Sequence, residues 1–148
     1  MDRKESVLIV DDEIGPRESL RMILKLTYDV HTVENGQDAI KFILKTDADL
    51  ITLDLNMPGM SGIETLQKLK KLKPDVKVII ITGYGTLNNA QDAIRFGAED
   101  FISKPYNVSD VTAVVSKAFE RRKSELKIKN LKIQGIERQR SVQGQGNI

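Results

Sequence analysis

Short runs of β-branched and other apolar residues alternate along this chain with segments whose apolar positions recur every three to four residues, and the alternation repeats five times. Val7-Leu8-Ile9-Val10 predicts a strand buried on both faces. Pro16 suits the first turn of the helix that follows, in which Leu20, Ile23 and Leu24 share a face. Val30 to Val33 predicts a weaker second strand nearer an edge, followed by a helix marked by Ala39, Ile40, Ile43 and Leu44. Leu50-Ile51-Thr52-Leu53 predicts a third strand, and Ile63, Leu66 and Leu69 its helix. Val76 to Ile81 is the strongest strand signal, nearly all β-branched, and precedes a helix marked by Leu87, Ala90, Ala93 and Ile94 that ends at Gly97. Phe101-Ile102 is a short fifth strand. Asn107 and Asp110 resemble an N-terminal cap for a fifth helix lined by Val111, Val114, Val115 and Ala118.

Five β/α units at this spacing predict an α/β, flavodoxin-like, doubly wound (βα)5 parallel sheet with helices on both faces and strand order 2-1-3-4-5. Ligands of such sheets bind beyond the carboxyl ends of the strands, at the switch point between the first and third. Residues 1–118 make up this domain. Residues 119–134, rich in Lys, Arg, Glu and Leu, extend the fifth helix or form a linker, and residues 135–148 read as a flexible polar tail. Phe119, Leu126 and Ile133 recur every seven residues, but Arg122 and Lys129 occupy the intermediate core positions. Both a solvated or weakly dimerising helix and a coiled coil stay open.

Composition narrows the setting. At 148 residues, 40% hydrophobic and 30% charged, the chain suits one globular domain with an appendage. It has no cysteine, which excludes disulfides, thiolate metal sites and a cysteine nucleophile. The charged start is followed by an apolar run too short for a signal peptide, and no stretch matches a membrane span, so a cytoplasmic protein is expected. The net charge of +2 conceals a split: residues 1–118 carry 15 Lys/Arg against 18 Asp/Glu, and residues 119–148 carry 8 against 3. The basic excess therefore belongs to the tail. Residues such as Arg121, Arg122, Lys123, Lys127 and Lys129 have no aromatic platform beside them, so direct nucleic-acid binding is not expected. His31, the one histidine, falls in the second strand, away from the crevice.

Four separate stretches meet at the crevice: Val10-Asp11-Asp12-Glu13, Leu53-Asp54-Leu55-Asn56-Met57-Pro58-Gly59, Ile81-Thr82-Gly83 and Ser103-Lys104-Pro105. Asp11, Asp12 and Asp54 bring three carboxylates together. Two unit charges about 4–5 Å apart, at an effective dielectric near 20, repel by about 3–4 kcal/mol, so protons or a cation must offset them. Oxygen donors without cysteine point to Mg²⁺ before Zn²⁺. Asp54 is the candidate nucleophile, since a carboxylate attacks phosphorus to form an acyl phosphate. Lys104 would neutralise phosphoryl oxygens in the in-line transition state. Its position before Pro105 restricts its backbone, and a cis Lys104–Pro105 bond is expected. Thr82 offers a hydroxyl to a phosphoryl oxygen, and Gly83 leaves an open approach.

This ordered set resembles the receiver domain of bacterial two-component response regulators, over Ser6 to Ala118. The resemblance implies that Asp54 is the phospho-accepting residue, that Asp12 binds the metal directly and Asp11 through water, and that the backbone carbonyl of Asn56 is the third protein ligand. It further implies that Thr82 is the switch hydroxyl, Lys104 the phosphate-binding lysine and Phe101 the switch aromatic. A sensor histidine kinase would donate the phosphoryl group, and the face formed by the fourth helix, fifth strand and fifth helix would shift between two populations. Asn56 and Tyr84 stand at positions that influence hydrolysis of the acyl phosphate in this family. Thr82-Gly83-Tyr84-Gly85-Thr86 with Ala98-Glu99-Asp100-Phe101 is similar to receivers attached to ATP-dependent transcription activators, which implies a homodimer through that face or through the extended helix, and an output domain missing from this chain. A standalone receiver stays open.

Two rival enzymatic readings fail on single residues. A haloacid-dehalogenase-type phosphatase wants a second aspartate where Asn56 stands, and a dinucleotide-binding fingerprint wants a glycine where Asn88 stands.

Overall fold

The computed structural model describes residues 3–83 and 85–145. The elements run β1 (Ser6–Val10), α1 (Ile14–Leu24), β2 (Asp29–Val33), α2 (Gly36–Lys45), β3 (Leu50–Leu53), α3 (Gly62–Leu72), β4 (Lys77–Thr82), α4 (Leu87–Arg95), β5 (Asp100–Ser103) and α5 (Val108–Gln145). All strand pairs are parallel, in the order β2-β1-β3-β4-β5. This is the expected doubly wound topology.

The apolar runs explain which strands lie inside. Every residue of β1, β3 and β4 is buried, whereas edge strand β2 is exposed at Asp29 and half exposed from Val30 to Val33. Alternate side chains feed two cores, because successive residues of a strand point to opposite faces. Leu8, Val10, Ile51, Leu53, Val78 and Ile80 pack on one face with Ala39, Ile43, Leu66, Leu69 and Ala93. Val7, Ile9, Leu50, Ile79 and Ile81 pack on the other with Leu20, Leu24, Val111 and Val115. Helices α2, α3 and α4 therefore cover one face, and α1 and α5 cover the other.

The helices start and stop on local signals. Asn35, Ser61 and Thr86 each accept the backbone N–H of the residue three further on, capping α2, α3 and α4. Gly97, at φ +101°, lets the chain leave α4, with its N–H on the Ile94 carbonyl and that of Ala98 on the Ala93 carbonyl. At the start of α5 the Asn107 and Asp110 side chains meet at 3.4 Å, and the Asp110 N–H is on the Asn107 backbone carbonyl at 3.1 Å.

The C-terminal part corrects one expectation. The helix α5 is 38 residues long, and the polar segment from Gly135, expected as a flexible tail, is helical as far as Gln145. A lone glycine costs a helix about 1 kcal/mol relative to alanine. Good helix formers such as Lys132, Gln134, Glu137 and Arg138 surround Gly135, and no proline follows Pro105, so nothing stops propagation. Residues 146–148 of that tail lie outside the described residues. Phe119, one residue past the expected edge of the domain, is 3% exposed and belongs to the core on the α1/α5 face. Among the described residues no helix is long and apolar enough to cross a membrane.

Candidate functional site

Each reactive side chain sits where a strand gives way to a loop. Asp11 and Asp12 follow β1, Asp54 follows β3, Thr82 ends β4, and Lys104 follows β5. The ladder continues into these residues, with the Asp54 N–H on the Val10 carbonyl at 3.1 Å and the Lys104 N–H on the Thr82 carbonyl at 2.9 Å. The sheet itself thus fixes the spacing of the groups.

Lys104 is the hub. Its Nζ donates to Asp11 Oδ2 at 2.7 Å and to Asp54 Oδ2 at 3.0 Å. The Thr82 hydroxyl donates to Asp54 Oδ1 at 2.7 Å, and the Asn56 N–H to the same oxygen at 3.0 Å. The Asp11 Oδ1 accepts from the Glu13 N–H at 3.0 Å. Asp11, Asp54 and Thr82 are buried, whereas Asp12 and Asn56 are exposed. Carboxylate oxygens of Asp11, Asp12 and Asp54 all lie within 4.8 Å of one another. This closely spaced set of hard oxygen donors, with one member open to solvent, fits a divalent cation that keeps several waters.

The electrostatics follow from burial and pairing. Burial pushes the Lys104 ammonium down, but the hydrogen bonds and charges of Asp11 and Asp54 outweigh it and hold its pKa above 10.5. Lys104 is therefore a permanent cation at neutral pH. Burial raises the nearby Tyr106 phenol above 10.0, with Lys104 lowering it and Asp11 raising it. Lys104–Pro105 is cis, as expected. A Cβ at Gly83 would meet nothing within 4 Å beyond its two chain neighbours. Phe101 is half buried, and Tyr84 lies outside the described residues.

The sequence did not single out Arg17 or Tyr106. Arg17 is 9% exposed; it donates to the Asp11 carbonyl at 2.9 Å and lies 3.7 Å from Glu34. Tyr106 lines a cavity of about 10 Å³ beside Asp11, Asp54 and Lys104. A cation in the first turns of an amphipathic helix carries no sequence signal that it turns inward. The adjacency of Tyr106 to Lys104-Pro105 was the one hint available for it. His31 is remote from this cluster, on the half-exposed β2, with its ring 5.2 Å from that of Phe42.

Residues 7–116 match the family model described as the response regulator receiver domain. The chain belongs to this family. It is 36% identical over 114 residues to sporulation initiation phosphotransferase F of Bacillus subtilis, covering 76% of this chain and 92% of that protein. It is 35% identical over 114 residues to regulatory protein LuxO of Vibrio cholerae, covering 75% of this chain but 25% of that protein. Among solved structures, a CheY-like receiver domain from Methanospirillum hungatei superposes with a TM-score of 0.81 at 30% identity, covering 83% of this chain and 99% of that one. NtrX from Brucella abortus gives 0.82 at 30% identity, covering 87% of this chain and 30% of that one. The chain thus spans nearly all of some relatives and about a quarter to a third of others. Receiver domains are phospho-accepting signalling switches, generally phosphorylated on an aspartate, that bind Mg²⁺ at an acidic pocket and interact with histidine kinases and output domains. In this chain Asp11, Asp12 and Asp54 form an acidic cluster at the carboxyl ends of the strands.

Proposed function

We propose that this receiver accepts a phosphoryl group on Asp54 from the phosphohistidine of a partner sensor histidine kinase in a Mg²⁺-dependent reaction. The α4-β5-α5 face then shifts to control an output, transcription being the best match. The carrying observation is the environment of Asp54: a buried carboxylate with Thr82, Asn56 N–H and Lys104 on its oxygens, and with Asp11 and Asp12 in ligand reach.

In the step itself, an Asp54 carboxylate oxygen forms the O–P bond as the P–N bond breaks, and the electron pair leaves with the imidazole, which takes up a proton. Lys104 sits beside Asp54 Oδ2, where it can follow the negative charge onto a phosphoryl oxygen. Thr82 supplies a hydroxyl donor from the opposite side. Bound by Asp11, Asp12, Asp54 and the backbone carbonyl of Asn56, Mg²⁺ would supply charge neutralisation to the same oxygens. Movement of Thr82 towards the phosphoryl group would let Phe101 turn inward and bias the α4-β5-α5 face. Such a protein turns over only its own acyl phosphate.

The same reading places the protein in the cytoplasm with its kinase. It also implies a homodimer, through α4-β5-α5, where Leu87 and Ile94 are exposed, or through the extended α5. The regulatory relatives that extend beyond the matched region support an output domain outside this chain. The direct test is incubation with Mg²⁺ and a small acyl or amidophosphate, followed by intact mass. The native chain gains one phosphoryl group and Asp54→Ala gains none; equal labelling of both would remove the proposal. Sizing the same samples tests the dimer.

A further inference from the structure

The four strands that carry the reactive groups at their carboxyl ends also carry, at or just before their amino ends, a charged residue bonded to α5. Glu5 precedes β1, Asp49 precedes β3, Lys77 opens β4 and Glu99 precedes β5. From the helix, Lys123 meets Glu5 at 3.4 Å and Arg122 meets Asp49 at 3.3 Å. Glu125 meets Lys77 at 2.7 Å and Arg121 meets Glu99 at 2.8 Å. Lys129 reaches Asp75, in the loop before β4, at 3.1 Å. Helix charges of both signs match seat charges of the opposite sign.

Three of the seat residues are withdrawn from water: the side chains of Asp49, Lys77 and Glu99 are 3%, 8% and 16% exposed. Asp49 also takes Arg3 and the Ser6 N–H, and Lys77 also takes Glu99. A buried charge must be paired, so these positions specify partners where surface ion pairs would specify little. An apolar anchor sits at the same exit, the Phe119 ring stacking on Tyr28 at 4.8 Å. The helix residues that hold to this seat include Phe119, Arg122 and Lys129, the positions that would form the seam of a heptad. At those three positions the seam is taken up by the chain's own receiver.

We propose that the amino ends of the strands form a dedicated seat for the α5 extension, through which the receiver fixes the heading of the helix and of whatever is attached to it. A corollary is that helix pairing with a second copy starts beyond Lys129, where Leu131, Ile133 and Ile136 are exposed.

Hydrogen exchange on the whole chain, read on peptides from residues 120–132, tests this. The triple variant Arg121→Gln, Arg122→Gln, Glu125→Gln keeps good helix formers while removing the pairs. It should lose about tenfold protection over 120–132 while β1 and β4 amides keep theirs. The control Lys127→Gln, Lys132→Gln, Glu137→Gln, on the same helix with no partner in the seat, should change nothing. Unchanged protection in the first variant, or an equal loss in the control, overturns the proposal. Should the first variant also loosen β1 and β4, Arg121→Gln alone decides, since that side chain is half exposed. A loss of about twofold over 120–132 supports the seat and no loss removes it.

Discussion

At Asp54 the protein keeps a carboxylate buried, its neighbours supplying hydrogen bonds from three directions. Lys104 bears the largest share, bridging two buried acids that would otherwise face each other. Replacing it by methionine should destabilise the protein by about 3 kcal/mol, the lower end of the range for breaking a buried pair. Added Mg²⁺ should restore part of that loss, which urea denaturation with and without the ion would show. Asp12 makes the complementary case, being exposed and able to offer an oxygen to a cation beside Asp11 and Asp54. Asp12→Asn should leave the metal-free melting temperature nearly unchanged and abolish the rise that Mg²⁺ gives the native protein; an undiminished rise would take Asp12 out of the ligand set. The convergence of Asp11, Asp54, Thr82 and Lys104 was legible because each closes or follows an apolar run, and the sheet topology then dictates that they meet. Arg17 was not, since its inward turn depends on a carbonyl contact that no periodicity encodes.

The elements that carry these residues are held at close quarters by a glycine. A Cβ at Gly62, the first residue of α3, would fall on the backbone of Leu55 and stand 3.0 Å from the Asp54 carbonyl. Gly62→Ala should therefore push α3 off the loop bearing Asp54 and Asn56. The expected cost is about 1–3 kcal/mol by overpacking, with slower labelling from a small phosphodonor. Denaturation and labelling rate together check it, and an unchanged rate would show that the loop does not depend on this contact. The caps at Asn35, Ser61 and Thr86 were not singled out, but the strands and helices themselves were readable from period. The end of α5 was not: Gly135 and the polar residues after it suggested a break, whereas helix propagation needs only the absence of a stop. Phe119 was read as a heptad position, while its ring is in the core beside Tyr28. Phe119→Ala should cost about 3–5 kcal/mol in urea denaturation, as a core truncation does. A loss below 1 kcal/mol would return the residue to the linker.

Across the whole molecule, the sheet has chemistry at one end and a charged seat at the other, and the acidic body and basic extension recorded in the sequence meet at that seat. The strand order could be read from alternation alone, since right-handed crossovers and a switch point leave few arrangements. The pairing of opposite charges could not, because a lysine or glutamate in sequence does not declare its partner. The seat has a pH signature. Glu99 is opposed by burial, which raises its pKa, but Arg121 and Lys77 outweigh this and bring it below 4.5. Lys77, lowered by burial and raised more by Glu125 and Glu99, ends above 10.5; the neighbouring Lys70 is lowered by burial and then by Lys77. A carboxylate depressed in the folded state contributes stability that is complete above its unfolded value and lost as pH falls through the folded one; for a raised lysine the contribution is complete below its unfolded value and lost as pH rises through the folded one. The Lys77–Glu99 part of the seat should therefore hold constant strength between about pH 4.5 and 10.5 and weaken outside that window. Corrected for intrinsic rates, exchange over residues 120–132 should stay level on acidification to pH 4.5 and then rise before that of β4. In Glu99→Gln it should be faster at neutral pH and rise less on acidification. Extension and β4 losing protection together at every pH would mean that the helix has no separate attachment to lose.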